Sequence, residues 1–158
     1  VLALWSAGCA PAPEALASRT LLSGTTVAAL AGANDTTVVL VYSPSDCFKC
    51  FGSLQSWLDW GRKHPRRLVL LFTREPRPAE RLQLATYRIR PAGIISPRAI
   101  DRARPIATPA EALFVRGRLD YMDVLRRREL VTPLLRRIAR TPAAAAPRLA
   151  GTRTKEQP

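Results

Sequence analysis

Two thiols separated by two residues, Cys47-Phe48-Lys49-Cys50, are the side chains of this chain best suited to chemistry. They follow a β-branched apolar run and open an amphipathic stripe, so they fall where a strand hands over to a helix. On a first helical turn such a pair can close a disulfide with little backbone movement. The first thiol also faces unpaired helix N–H groups and the positive end of the dipole, both of which stabilise a thiolate. A low-pKa Cys47 can attack a substrate disulfide, and Cys50 can then resolve the mixed disulfide from within. Lys49 adds a positive charge that lowers the Cys47 pKa, and Asp46 adds a negative one that raises it. Both are expected at the surface, where salt screens them.

Other uses of the pair are open. Zinc needs a second ligand pair, for which the chain offers Cys9 and His64. An inert buried pair fits poorly after a strand, because side chains there reach the surface at the sheet's C-terminal edge. A permanent structural disulfide gains little from so short a loop. The single His of the chain leaves little room for a histidine-rich metal site or a Ser-His-Asp hydrolase.

The elements that position the thiols follow from patterning. Residues 38–42 (Val-Val-Leu-Val-Tyr) are apolar on both faces, as in a buried central strand. Ser43-Pro44-Ser45-Asp46 breaks the strand and supplies N-cap oxygens. From Cys47 the apolar positions 47, 50, 51, 54, 57 and 58 form a helical stripe ending near Gly61. Residues 67–73 predict a second buried strand. Pro78 opens a helix whose expected core face is Leu82, Ala85 and Ile89. Residues 91–107 read as irregular. Residues 112–115 and 118–122 flank Arg116-Gly117, a hairpin signal. Residues 124–140 predict a last amphipathic helix, apolar at 124, 125, 131, 134, 135 and 138.

The order is β-α-β-α-β-β-α, with the first two strands parallel through a right-handed crossover. Thr108-Pro109 precedes the hairpin, and a Pro at that boundary invites a cis bond; Pro105 is a weaker candidate. Such a turn exposes backbone with which a bound substrate chain could pair in β fashion.

The chain has 158 residues, enough for one domain with tails. An apolar share of 47% excludes wholesale disorder, 14 Pro disfavour a helical bundle, and three Cys are too few for a disulfide-stapled miniprotein. No segment is long and apolar enough to cross a membrane as a helix. Residues 1–9 look like the end of a signal peptide, with Ser6, Ala7 and Gly8 before Cys9 resembling a lipoprotein cleavage box whose Cys carries lipid. A buried Cys in a short N-terminal helix is the alternative. Residues 10–20 read as a Pro/Ala tether, 21–140 as the domain, and 141–158 as a disordered tail.

The net charge of +13 points first to nucleic acid, but the residues do not follow it up. Nothing resembles a groove-reading helix or an RNA-binding aromatic platform. The basic clusters Arg126-Arg127-Arg128 and Arg136-Arg137 suit a solvated helix face, anionic lipid headgroups or an acidic partner. The predominance of Arg over Lys, beside abundant Ala and Pro, also suggests a bias of the coding sequence. Nucleic acid is not an expected partner.

Together, the first strand, the Cys47-x-x-Cys50 helix, the second strand, Thr108-Pro109 and the hairpin over 114–122 resemble the thioredoxin-like family. With the lipobox-like leader and the lead-in over 22–31, the chain is similar to the membrane-anchored, extracytoplasmic thioredoxin-like proteins of bacteria. The resemblance implies an α/β fold, a three-layer sandwich with a central mixed sheet and helices on both faces. It implies Cys47 as nucleophile, Cys50 as resolving thiol and Pro109 as the cis-proline facing them.

Departures are visible. Asp46 stands where the family has Trp, and Lys49 where it often has Pro. The buried carboxylate of the first strand would fall at Val41, which leaves water or Glu111, near the proline loop, for proton transfer to Cys50. Phe48 and Phe51 break the peroxiredoxin pattern. A copper-delivery relative needs a wider Cys pair and a later His, so His64 reads as a helix-end surface residue. Trp57 fits the core stripe, whereas Trp60 falls off it; core or semi-buried packing is the default for both, and an exposed apolar patch near the thiols is the alternative for Trp60.

The expected function is thiol–disulfide exchange with protein substrates at an extracytoplasmic, lipid-anchored site. No cofactor and no metal are called for, and a redox partner recharges the pair. The competing class is a non-catalytic thioredoxin-fold lipoprotein that captures a metal or a protein partner.

Overall fold

The run of β-branched and aliphatic residues from Thr36 has no polar face to offer water, and it forms the middle of a sheet. In the computed structural model, which describes residues 14–32, 34–46, 51–97, 106–125 and 132–140, β1 (Thr36–Tyr42) is buried from Thr37 onward. Its neighbours are β2 (Leu68–Phe72), parallel to it, and β4 (Ala110–Val115), antiparallel. The short β3 (Gly93–Ile94) and β5 (Arg118–Val124) complete a five-stranded mixed sheet in the order β3-β2-β1-β4-β5. Arg116 and Gly117 at the β4–β5 turn have φ of 50° and 75°, the left-handed pair that a two-residue hairpin turn requires.

Strand alternation divides the core into two layers. Val38, Leu40 and Tyr42 of β1 pack with Leu54 and Trp57 of α3 (Phe51–Lys63) and with Leu134 and Leu135 of α5 (Pro133–Arg140). Val39 and Val41 point to the opposite layer, against Leu16 of α1 (Glu14–Ala17) and Val27 and Ala31 of α2 (Val27–Ala31). Helix α3 runs close to β2. A Cβ at Gly61 would stand 2.6 Å from Leu68 Cδ2, so the smallest residue is needed there.

Several expectations are corrected. In α4 (Pro78–Thr86), Leu82 is 73% exposed and Ala85 is exposed too; the core contacts come from Leu84 and Ile89. The helix ends at Thr86, Arg88 adopts φ of 55°, and Ile89 N donates to Leu84 O at 2.9 Å, which turns Ile89 back onto the core. The last helix begins at Pro133 instead of 124, because β5 continues to Val124. Within the irregular stretch, Gly93 and Ile94 pair with Leu71 and Phe72 as an edge strand. In the segment read as a tether, residues 14–17 form a helical turn, and Leu16 and Arg19 are buried. Residues 1–13 and 141–158, which hold the leader, Cys9 and the tail, lie outside the described residues.

At the mouth of α4, Glu80 accepts from both Arg74 guanidinium nitrogens at 2.8 and 2.6 Å and from Arg77 N at 2.8 Å. These bonds, the Arg74 side chain first, hold the Glu80 carboxyl down at about 2.

Candidate functional site

Where β1 ends, the chain folds into a closed turn. Asp46 N donates to Ser43 O at 2.9 Å, and Ser43 N donates back to Asp46 Oδ2 at 3.1 Å. The hydroxyls of Ser43 and Ser45 stand 2.9 Å apart. The same Asp46 Oδ2 accepts a hydrogen bond from the Thr108 hydroxyl at 2.6 Å. Thr108 leads into Pro109 through a cis peptide bond, and the Pro109 carbonyl accepts from Leu125 N at 2.8 Å. The sequence elements read as flanking the thiols therefore meet at one edge of the sheet. Cys47, Phe48, Lys49 and Cys50 themselves lie outside the described residues. The chain enters them from the Asp46 turn and leaves them into α3.

Two residues beyond Pro109, roughly 7 Å along the strand, Glu111 is fully buried. It sits opposite Leu40 in the β1–β4 register and faces the α3 layer, since Ala110 and Ala112 on either side face the other one. Trp57 Nε1 donates to Oε2 at 3.0 Å, and Leu134 N approaches Oε1 at 3.4 Å. The buried Thr132 caps α5 by accepting from Leu135 N at 3.2 Å, and its side chain also hydrogen-bonds Glu111.

Burial pushes the Glu111 carboxyl above its ordinary value, and the bonds from Thr132, Trp57 and Leu134 oppose that push; the charge of Asp123 adds to it. A carboxyl so placed keeps its proton to higher pH than a free one and can exchange it with a partner.

Val41 belongs to the layer away from α3. A carboxylate there would point to the wrong side of the sheet, and the buried acid of this protein stands one strand over, on β4. Two donors went unassigned in the sequence, Thr108 to Asp46 and Trp57 to Glu111. The second had a signal, because a buried indole N–H needs an acceptor. Trp60 is half-buried against the α3 core layer, the packing expected of it by default, nine residues past Phe51 and about 13 Å along the axis. It packs edge-on to Trp57 at 5.7 Å and stacks on His64 at 4.3 Å. His64 Nδ1 lies 2.9 Å from Trp60 O, at the helix end as expected.

No family model and no curated protein matches the sequence. Solved structures do match. Mycobacterium tuberculosis DsbF, in mixed oxidised and reduced forms, aligns with a TM-score of 0.50 at 18% identity, over 82% of this chain and 98% of its own. The fold is thioredoxin-like. A secreted M. tuberculosis disulfide oxidoreductase homologous to E. coli DsbE aligns over 81% and 98% of the two chains, at 19% identity and a TM-score of 0.49. The exposed lipoprotein thioredoxin Etrx1 of Streptococcus pneumoniae covers 69% and 88%, at 12% identity and a TM-score of 0.46.

On this thioredoxin-like fold, Asp46 and Pro109 share the edge that the thiols' flanks define, joined through Thr108, and Glu111 lies inside. Among the described residues no helix is long and apolar enough to cross a membrane.

Proposed function

We propose that the protein is an extracytoplasmic thiol–disulfide oxidoreductase that acts on protein substrates through Cys47 and Cys50. The observation that carries this reading is the Cys-x-x-Cys pair, sited in sequence between the Asp46 turn at the end of β1 and helix α3 of a thioredoxin-like sheet. M. tuberculosis DsbF, with the same fold, is described in oxidised and reduced forms, which supports a redox use of the scaffold.

The Cys47 thiolate attacks one sulfur of a substrate disulfide, breaking the S–S bond and expelling a substrate thiolate that takes a proton. Cys50, as thiolate, then attacks the Cys47 sulfur of the mixed disulfide and expels the second substrate thiol. Two electrons pass to the substrate, and the pair is left as a disulfide for a redox partner to recharge. Run backwards, the same steps oxidise a dithiol. Glu111 takes up the Cys50 proton as that thiol becomes the nucleophile. The backbone before Pro109 docks the substrate chain in β fashion. Lys49 favours the Cys47 thiolate. Lipid on Cys9 tethers the domain, 21–140 with the packed segment from residue 14, to the outer side of a bacterial membrane through residues 10–13.

Mass-tagging of thiols in the mature protein tests this reading. After acid quench, full reduction and denaturation, polyethylene-glycol maleimide is expected to add two tags, because the Cys9 sulfur is held as a thioether. In a parallel sample, mild oxidation before the quench, with the reduction step left out, is expected to remove both. A third tag overturns the anchor, and two tags that persist through oxidation overturn the redox pair.

A further inference from the structure

Asp46 immediately precedes Cys47, so a carboxylate and the proposed nucleophile belong to adjacent residues of the chain. The structure shows what the carboxylate does with its charge. Its Oδ2 accepts from both the Thr108 hydroxyl, at 2.6 Å, and the Ser43 amide, at 3.1 Å. The first bond spans 62 residues of sequence and joins the turn before the thiols to the loop that carries Pro109. The second closes the turn upon itself, together with the return bond from Asp46 N to Ser43 O.

Among the described residues, Asp46 interacts electrostatically with Arg74. Arg74, after β2, is near enough to feel its field, but both terminal guanidinium nitrogens of Arg74 are engaged by Glu80 at 2.8 and 2.6 Å. Lys49 is its other cationic neighbour in the chain. Of the described residues before Pro109, the neutral Thr108 hydroxyl meets it.

We propose that Asp46 and Thr108 are positioning residues of the exchange site, a hydrogen-bonded pair that sets the cysteine-bearing turn against the Pro109 loop and holds the Asp46 charge in check beside Cys47. This rests on the exchange reading and deepens it. A short bond to a hydroxyl delocalises and fixes a carboxylate charge, and a fixed charge turned to a partner opposes a neighbouring thiolate less than a free one. The pair also accounts for an acidic residue at a position where it would otherwise work against the nucleophile. The hydroxyl of Thr108 offsets the carboxylate, and removing either partner should change Cys47 in opposite directions.

The test is the pH profile of Cys47 alkylation by iodoacetamide in the full-length reduced protein. Trypsin cuts after Lys49, so mass spectrometry reads Cys47 and Cys50 in separate peptides. Thr108→Val is expected to raise the Cys47 midpoint by roughly half a pH unit, slowing alkylation about threefold on the acid side. Asp46→Asn is expected to lower the midpoint, and Thr108→Val added to Asp46→Asn to change nothing further. Thr108→Ser keeps the hydroxyl and should keep the profile.

The proposal is overturned if Thr108→Val leaves the profile unmoved, or moves it equally with and without Asp46→Asn. Should Thr108→Val not fold, Asp46→Asn still decides, since an unchanged or raised midpoint contradicts the pair. Failure of the exchange reading itself looks different. Cys47 of the unsubstituted protein would then titrate like a free thiol, near 8.5, in every variant, which overturns both.

Discussion

Trp57→Ala is expected to destabilise the protein by about 3–5 kcal/mol, read as a lowered urea midpoint at unchanged slope. Among the described residues Trp57 is the largest fully buried side chain, wedged among β1, β4 and α5, with its ring edge-on to Trp60. Alanine there opens a cavity that the sheet cannot close, because β1 is held by β2 and β4 on both sides. It also removes the 3.0 Å bond to Glu111 and leaves a buried carboxyl short of a donor. Against a total stability of roughly 5–15 kcal/mol, such a loss leaves the folded state marginal. Trp57→Phe separates the two contributions. It keeps most of the ring, loses the donor, and is expected to cost about 1–3 kcal/mol. A Trp57→Ala cost below about 1 kcal/mol would mean that the indole is not the keystone of this layer.

Glu111→Gln is expected to act on pH dependence and on rate together. The folded carboxyl is raised above its ordinary value of 4.5. Between that value and the raised one, the native state binds more protons than the unfolded chain. Stability from this group is therefore complete below the ordinary value and is lost as pH rises through the native one. Glutamine cannot titrate, so the stability difference between the original protein and Glu111→Gln should shrink as pH climbs from 4 toward 8, in urea melts at stepped pH. A difference that grows with pH would reverse the sign and contradict the buried-acid assignment.

The same substitution removes a proton acceptor. Resolution of the mixed disulfide by Cys50 should slow on the order of 100-fold near neutral pH in stopped-flow kinetics. Alkylation of Cys47 should stay close to normal. A stability slope without the rate loss would make Glu111 a structural acid only.

Much of this was legible in the residues, and the parts that were not have identifiable causes. The all-apolar first strand, the break at Ser43-Pro44 and the Arg116-Gly117 turn depend on local chemistry, and each stands where expected. The last helix starts later than its apolar stripe suggests, because Val124 and Leu125 fit a helical stripe as well as a strand end, and short apolar runs do not separate the two periods. Leu82 and Ala85 match a helix face by spacing, yet the left-handed Arg88 ends the helix early and brings in Ile89 from outside it.

The fully buried Arg19 and Leu16 lie in a stretch whose Ala and Pro content suggests only a spacer, because burial there depends on contacts with the distant sheet. The placement of Glu111 opposite Leu40, and the reach of Thr108 to Asp46, are consequences of tertiary register. No local pattern encodes either.

Substitution trapping bears most directly on the central claim, exchange through Cys47 and Cys50. With Cys50→Ser in living cells, the mixed disulfide at Cys47 has no internal thiol to resolve it. Partner proteins are expected to be linked to the variant on non-reducing gels, released by reductant, and absent when Cys47→Ser is added. If Cys50→Ser captures nothing that Cys47→Ser removes, the protein does not exchange disulfides through this pair.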